Sequence, residues 1–106
     1  MALESVERTD NGYLVNSNDW NEEIATELFA EEGIEPTERH WDIVRYVREQ
    51  TLAGDEPNER SIMKAMSKLW GDKATSKLMY EMFPLMPSKQ GLKIGGCPQS
   101  TRKGGY

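Results

Sequence analysis

The sequence holds a single cysteine, Cys97, among its 106 residues, and a single histidine, His40. A lone cysteine closes no internal disulfide. Without a second ligand cluster it also builds no cysteine-based zinc site. No apolar run approaches the ~20 residues a membrane-spanning helix needs. No basic start leads into an apolar stretch, so a secretory leader is not expected and a cytoplasmic location is the default. There is no glycine-rich phosphate loop, no metal-ligand spacing and no nucleophile paired with a base. An independent active site is therefore not expected, and neither is a cofactor.

What is present is a charged, moderately apolar chain of one-domain length, 29% charged and 37% hydrophobic. The net charge of -5 hides a division. Residues 1–59 hold four Lys/Arg against sixteen Asp/Glu, a net of −12, and residues 60–106 hold nine against two, a net of +7. Most surface charge is solvated. A basic rear half also suits an acidic partner or the phosphates of RNA.

Asp10-Asn11-Gly12, flanked by Val6 and by Tyr13, Leu14 and Val15, predicts a small β-hairpin. Asn18 or Asp19 can cap a first helix that carries Ile24, Leu28 and Phe29 on one stripe and ends at Gly33. Thr37 caps a second, Glu38 to Ala53, with Trp41, Val44, Tyr46, Val47 and Leu52 on its apolar side. Asn58 caps a third, Glu59 to Trp70, where Ile62, Met63, Ala65, Met66, Leu69 and Trp70 recur at helical spacing. Gly71 stops it, and Asp72 can cap a fourth, Lys73 to Phe83. Pro84 and Pro87 end regular helix, leaving room for one helical turn around Ser88 to Gly91. Five glycines between Ser88 and Tyr106 predict an extended, mobile arm from Lys93 onward. The expected architecture is mainly α, with a helical domain at 1–91 and a flexible C-terminal arm at 92–106.

Several blocks occur in an order that resembles the DsrC/TusE family of sulfur-relay proteins. Gly12-Tyr13-Leu14 is followed by Asp19-Trp20-Asn21. Gly33-Ile34 precedes His40-Trp41 and Val44-Arg45-Tyr46-Val47-Arg48. Met63-Lys64-Ala65-Met66 comes next, then Phe83-Pro84, Pro87-Ser88-Lys89-Gln90, Lys93-Ile94-Gly95-Gly96 and Pro98. The resemblance covers roughly residues 12–98. It implies an orthogonal helical bundle with a short hairpin. It also implies a mobile arm whose penultimate cysteine carries sulfur as a persulfide between partners, either sulfur-transfer proteins of tRNA 2-thiolation or a sulfite reductase-type enzyme.

The sequence departs from that pattern at both family thiols. Followed without gaps from Lys93, the penultimate cysteine falls on Lys103 and the earlier arm cysteine of the sulfite-reductase branch falls on Leu92. Cys97 stands where the family usually has leucine. It is nonetheless the candidate sulfur carrier, because Lys93, Arg102 and Lys103 nearby favour a thiolate. The alternative is a thiol-independent member that docks where its relatives dock. Lys93, Arg102, Lys103, Arg45 and Arg48 are the candidate partner-binding residues. His40 is expected to be a partly exposed helix residue, hydrogen-bonded locally. A separate reading makes the third and fourth helices a helix-turn-helix, with Lys73, Thr75, Ser76 and Lys77 opening a DNA-recognition helix. The net negative charge weighs against it.

Overall fold

A computed structural model describes residues 2–97, with side chains from Glu4 onward. Two 3₁₀ turns, Ala2–Ser5 and Ser17–Asp19, precede five helices: α1 (Glu22–Glu31), α2 (Glu38–Leu52), α3 (Glu59–Trp70), α4 (Ser76–Met82) and α5 (Pro87–Ile94). The fold is mainly helical. No helix among the described residues is long and apolar enough to cross a membrane.

The helix starts follow local chemistry. Asn21 accepts from the Ile24 N–H and Asn58 from the Ser61 N–H, each at 2.9 Å, and Thr75 accepts from Leu78 at 3.1 Å. Such side chains satisfy amides that have no partner inside the helix. The first helix begins at Glu22, later than Asn18 or Asp19 predicted. Asn16 accepts from the Asn18 N–H and closes a 3₁₀ turn instead. Trp20 then takes an extended conformation that carries it off the helix.

The predicted β-hairpin does not form, and there is no strand among the described residues. A single antiparallel bridge joins Arg8 and Leu14. The Asn-Gly turn is made, with Gly12 N–H bonded to Thr9 O at 2.9 Å and Thr9 N–H to Tyr13 O at 2.7 Å. The pairing stops because 3₁₀ turns cut the chain on both sides and because consecutive residues Tyr13 and Leu14 are both buried. A strand would send neighbours to opposite faces.

The fourth helix begins at Ser76, not Lys73. Thr75 supplies the cap, and the preceding stretch is held by buried Ala74, whose N–H bonds Ser67 Oγ at 2.8 Å.

The largest correction concerns α5. One turn was expected around Ser88 to Gly91, yet the helix runs for 8 residues from Pro87 and packs on α1, α2, α3 and α4. Proline opens it, since the first helical position needs no N–H donor. All of 87–92, and Ile94, are buried. The Ser88 amide and the side chains of Gln90 and Lys93 find partners far along the chain. Ser88 N–H donates to the Glu59 carboxylate at 2.7 Å. Gln90 donates to Glu32 at 3.1 Å and accepts from the Leu85 N–H at 3.0 Å. Lys93 donates to the other Glu32 oxygen at 3.0 Å. Gly91 lets the helix lie against Val47, whose Cγ2 would stand 3.0 Å from an added Cβ. The expected arm therefore does not begin at 92 or 93: residues up to Cys97 are part of the body. The remainder of that expected arm, 98–106, lies outside the described residues.

Around α5 the core gathers Ile24, Leu28 and Phe29 of α1, Ile43, Val44 and Val47 of α2, Ile62 and Met66 of α3, and Met79, Met82 and Phe83. His40 is buried among Phe29 and Phe83, with ring centroids at 6.0 and 5.2 Å. Its Nδ1 accepts from the Thr37 N–H at 3.1 Å, so Nε2 carries the hydrogen it donates to the Met82 carbonyl at 3.2 Å. His40 thus ties the start of α2 to the end of α4 as a neutral ring. Burial lowers its pKa, with the Met82 bond pulling the other way.

Candidate functional site at the end of the fifth helix

The chain leaves α5 through Gly95, Gly96 and Cys97. Gly96 has φ of 70°, in the left-handed region. Its N–H bonds Lys93 O at 3.2 Å, and the Cys97 N–H bonds Leu92 O at 2.9 Å. These two bonds define a Schellman motif, which puts an apolar residue at the position of Cys97 beside the last turn of the helix. Cys97 and Leu92 are both fully buried in the same core cluster.

Two side chains from distant elements clamp this turn. The Trp20 indole N–H donates to Ile94 O at 2.7 Å. Arg48 donates to Gly95 O at 2.7 Å and to Ser17 O at 3.0 Å, and its guanidinium lies 4.4 Å from the centre of the Trp20 ring. A Cβ on Gly96 would fall 2.5 Å from Trp20, so only glycine fits beneath the indole.

The surroundings of Cys97 are set against a thiolate. Burial pushes the thiol up to about 11, although the Arg48 charge and the Thr51 hydroxyl act in the opposite sense. At that value roughly one thiol in ten thousand is ionised at pH 7. The Sγ–H makes a long contact of 3.8 Å with Gly95 O. The positive charge that the sequence placed beside Cys97 is only partly realised. Arg48 is close, and burial lowers the pKa of its guanidinium. Lys93 turns away to Glu32. Arg102 and Lys103 lie outside the described residues.

The other candidate residues separate. Arg45 and Arg48 line one surface groove with Trp20, Glu22, Glu49 and Leu52, with a volume of about 420 Å³. Arg45 pairs with Glu22 at 2.7 Å. Sequence reasoning missed Trp20 as a clamp residue. A signal was available in the glycine–apolar pair after a helix: Gly96-Cys97 repeats the arrangement of Gly33-Ile34, where the Ile34 N–H bonds Phe29 O at 2.9 Å. The DNA-recognition helix is not assembled as expected, because Lys73 precedes α4 and Thr75 is its cap.

The family model described as DsrC like protein matches residues 1–102. The chain belongs to this family. It is 42% identical over 93 residues to the sulfurtransferase TusE of Yersinia pseudotuberculosis, covering 86% of each chain. Its fold is similar to the NMR structure of Allochromatium vinosum DsrC, with a TM-score of 0.81 and 34% identity over 92% of this chain and 89% of that one. It is also similar to the oxidized gamma-subunit of the dissimilatory sulfite reductase (DsrC) from Archaeoglobus fulgidus, with a TM-score of 0.78 and 31% identity, covering 92% and 91%. The resemblance in the sequence blocks to the DsrC/TusE family of sulfur-relay proteins is thus established. The DNA-binding alternative finds no support in these comparisons.

Proposed function

We propose that this protein acts in sulfur relay as a member that engages partner proteins without itself carrying sulfur. One observation carries the reading: the chain's lone cysteine is sealed at the apolar position of a helix-ending motif, with its thiol pushed up to about 11. Persulfide formation requires a thiolate that a donor can reach. Cys97 offers neither, and it does not stand at the family's carrier positions. It substitutes for a leucine in packing.

Partner engagement falls to the segment after Cys97, with Arg102 and Lys103 contributing charge. Arg48 and Trp20 fix the point from which that segment departs. The partners are proteins of a sulfur-transfer chain or a sulfite reductase-type enzyme. The 42% identity to a sulfurtransferase, against 34% to a DsrC structure, favours the first setting.

The test is mass spectrometry of the native protein after exposure to inorganic polysulfide, beside the same protein unfolded in urea. The expected result is an unmodified native protein and a modified unfolded one. A persulfide on Cys97 of the native protein would overturn the reading.

A further inference from the structure

Apart from Lys89, which is buried in α5, the described cations fall into two groups. Arg8, Arg39, Arg45 and Lys93 are held in ion pairs with Glu31, Asp72, Glu22 and Glu32, and Arg48 is bound to carbonyls. Arg60, Lys64, Lys68, Lys73 and Lys77 are all exposed, and none of them makes an ion pair or side-chain hydrogen bond among the described residues. All five belong to α3, α4 and the connection between them. In a chain with 18 acidic residues against 13 basic ones, exposed unpaired cations gathered in one stretch are not a matter of too few anions.

Three of these cations form a row. Arg60, Lys64 and Lys68 stand four residues apart on α3, which keeps them within about 80° of the helix surface. Beside the row, Leu69 is 61% exposed. It stands at the rim of a groove of about 310 Å³, where Ala65, Met66 and Leu69 of α3 face Tyr46 and Glu49 of α2. The opposite rim carries Asp42 and Glu49, with Arg45 already paired to Glu22. The groove is therefore apolar along its floor, basic beyond one edge and largely acidic along the other.

We propose that this groove receives an amphipathic helix of a partner protein. Its apolar ridge sits against Leu69 and Met66, and its carboxylates lie on the flank facing Arg60, Lys64 and Lys68. A groove between two helices takes a third helix by its i, i+3, i+4 ridge. The unlike charges of the two rims fix which flank is acidic and so fix the direction of the helix. A nucleic acid fits less well. Its charge is distributed along both sides, so it meets Asp42 and Glu49 as well as the lysines, on a body whose first 59 residues carry −12.

The proposal rests on the partner-docking reading above and goes beyond it, adding a second contact surface on the helical body and the partner's chemistry there. It is tested by titrating the isotope-labelled full chain, observed by NMR, with a synthetic helical peptide. That peptide has a leucine ridge, glutamates on one flank and glutamines on the other. Amide shifts at Tyr46, Lys64, Ala65 and Leu69 are expected. Affinity should fall roughly tenfold in a K64E/K68E variant and recover when the peptide's glutamates become lysines. These substitutions are exposed, so the amide spectrum of the rest of the body serves as the folding control. Shifts confined to other surfaces, equal binding of the glutamate and lysine peptides to the unaltered chain, or tighter binding of a short uridine RNA at the same residues would each overturn the proposal. None of these outcomes bears on the polysulfide test, which reads sulfur on residue 97.

Discussion

The indole of Trp20 and the carbonyl of Ile94 meet at 2.7 Å across 74 residues of sequence. This bond fastens the loop before α1 to the last turn of α5. With Arg48 above the same ring, it holds the exit of the chain closed.

Trp20→Phe keeps an aromatic ring for Arg48 and removes only the donor. The Ile94 carbonyl then loses a partner in a part-buried setting, which costs about 1–2 kcal/mol. Urea denaturation should show that loss. Modification of Cys97 by a thiol reagent should become faster, because the turn that covers it opens more often. An unchanged modification rate would mean that the clamp does not control access.

Glycine substitutions at two helix ends should part company. Gly54→Ala places a side chain at φ of 94° in open space and should cost about 1–2 kcal/mol from the backbone alone. Gly96→Ala adds a contact of 2.5 Å with Trp20 and should cost clearly more. Thermal melts of the two variants, measured side by side, decide the matter. Equal losses would show that Trp20 yields freely.

Stability should fall as pH drops below about 6.5, the ordinary histidine value. His40 is lowered in the folded state, so in that window the unfolded chain binds a proton that the folded chain refuses. The loss continues until the folded pKa is reached and then levels off. In His40→Gln the decline between pH 6.5 and the carboxylate range should flatten, whatever the variant's absolute stability. A slope unaltered by the substitution would assign the effect elsewhere.

Lys89 is 5% exposed, and its ammonium has no hydrogen-bond partner among the described residues. An unpaired buried cation is costly, whereas an apolar group of similar length is not. Lys89→Met should stabilise the protein, by about 1 kcal/mol or more. Chemical denaturation measures this directly, and a destabilised variant would show that the ammonium has a favourable role in the body.

Cys97→Leu should be neutral or slightly stabilising and should leave partner binding intact, since the position asks for an apolar residue. Cys97→Ser buries a hydroxyl in its place and should cost about 1–3 kcal/mol. If the serine form were the more stable of the two, the site would be wetter than its packing indicates.

Much of the helical plan was legible in the chain. Asn58 and Gly71 bound α3, and Thr37 and Gly54 bound α2, because caps and left-handed glycines act within a few residues of the amides they satisfy. Burial within a helix was legible only in part. Leu69 follows the apolar period of α3 yet is 61% exposed, and Leu52 of α2 is 50% exposed. Periodicity marks a face, but it does not say where the neighbouring helix ends.

The sequence by itself determined the family, the first three helices and the presence of one thiol, at Cys97, since each depends on residue identity and short spacing. Only the tertiary structure decided that Pro87–Ile94 is a central helix and that Cys97 is enclosed. Ser88, Gln90 and Lys93 look like loop residues until Glu59 and Glu32 arrive from 29, 58 and 61 positions away. The physical reason is the range of the interactions. A cap or a turn is satisfied by its neighbours, whereas a polar helix can be buried only after distant partners have been brought to it.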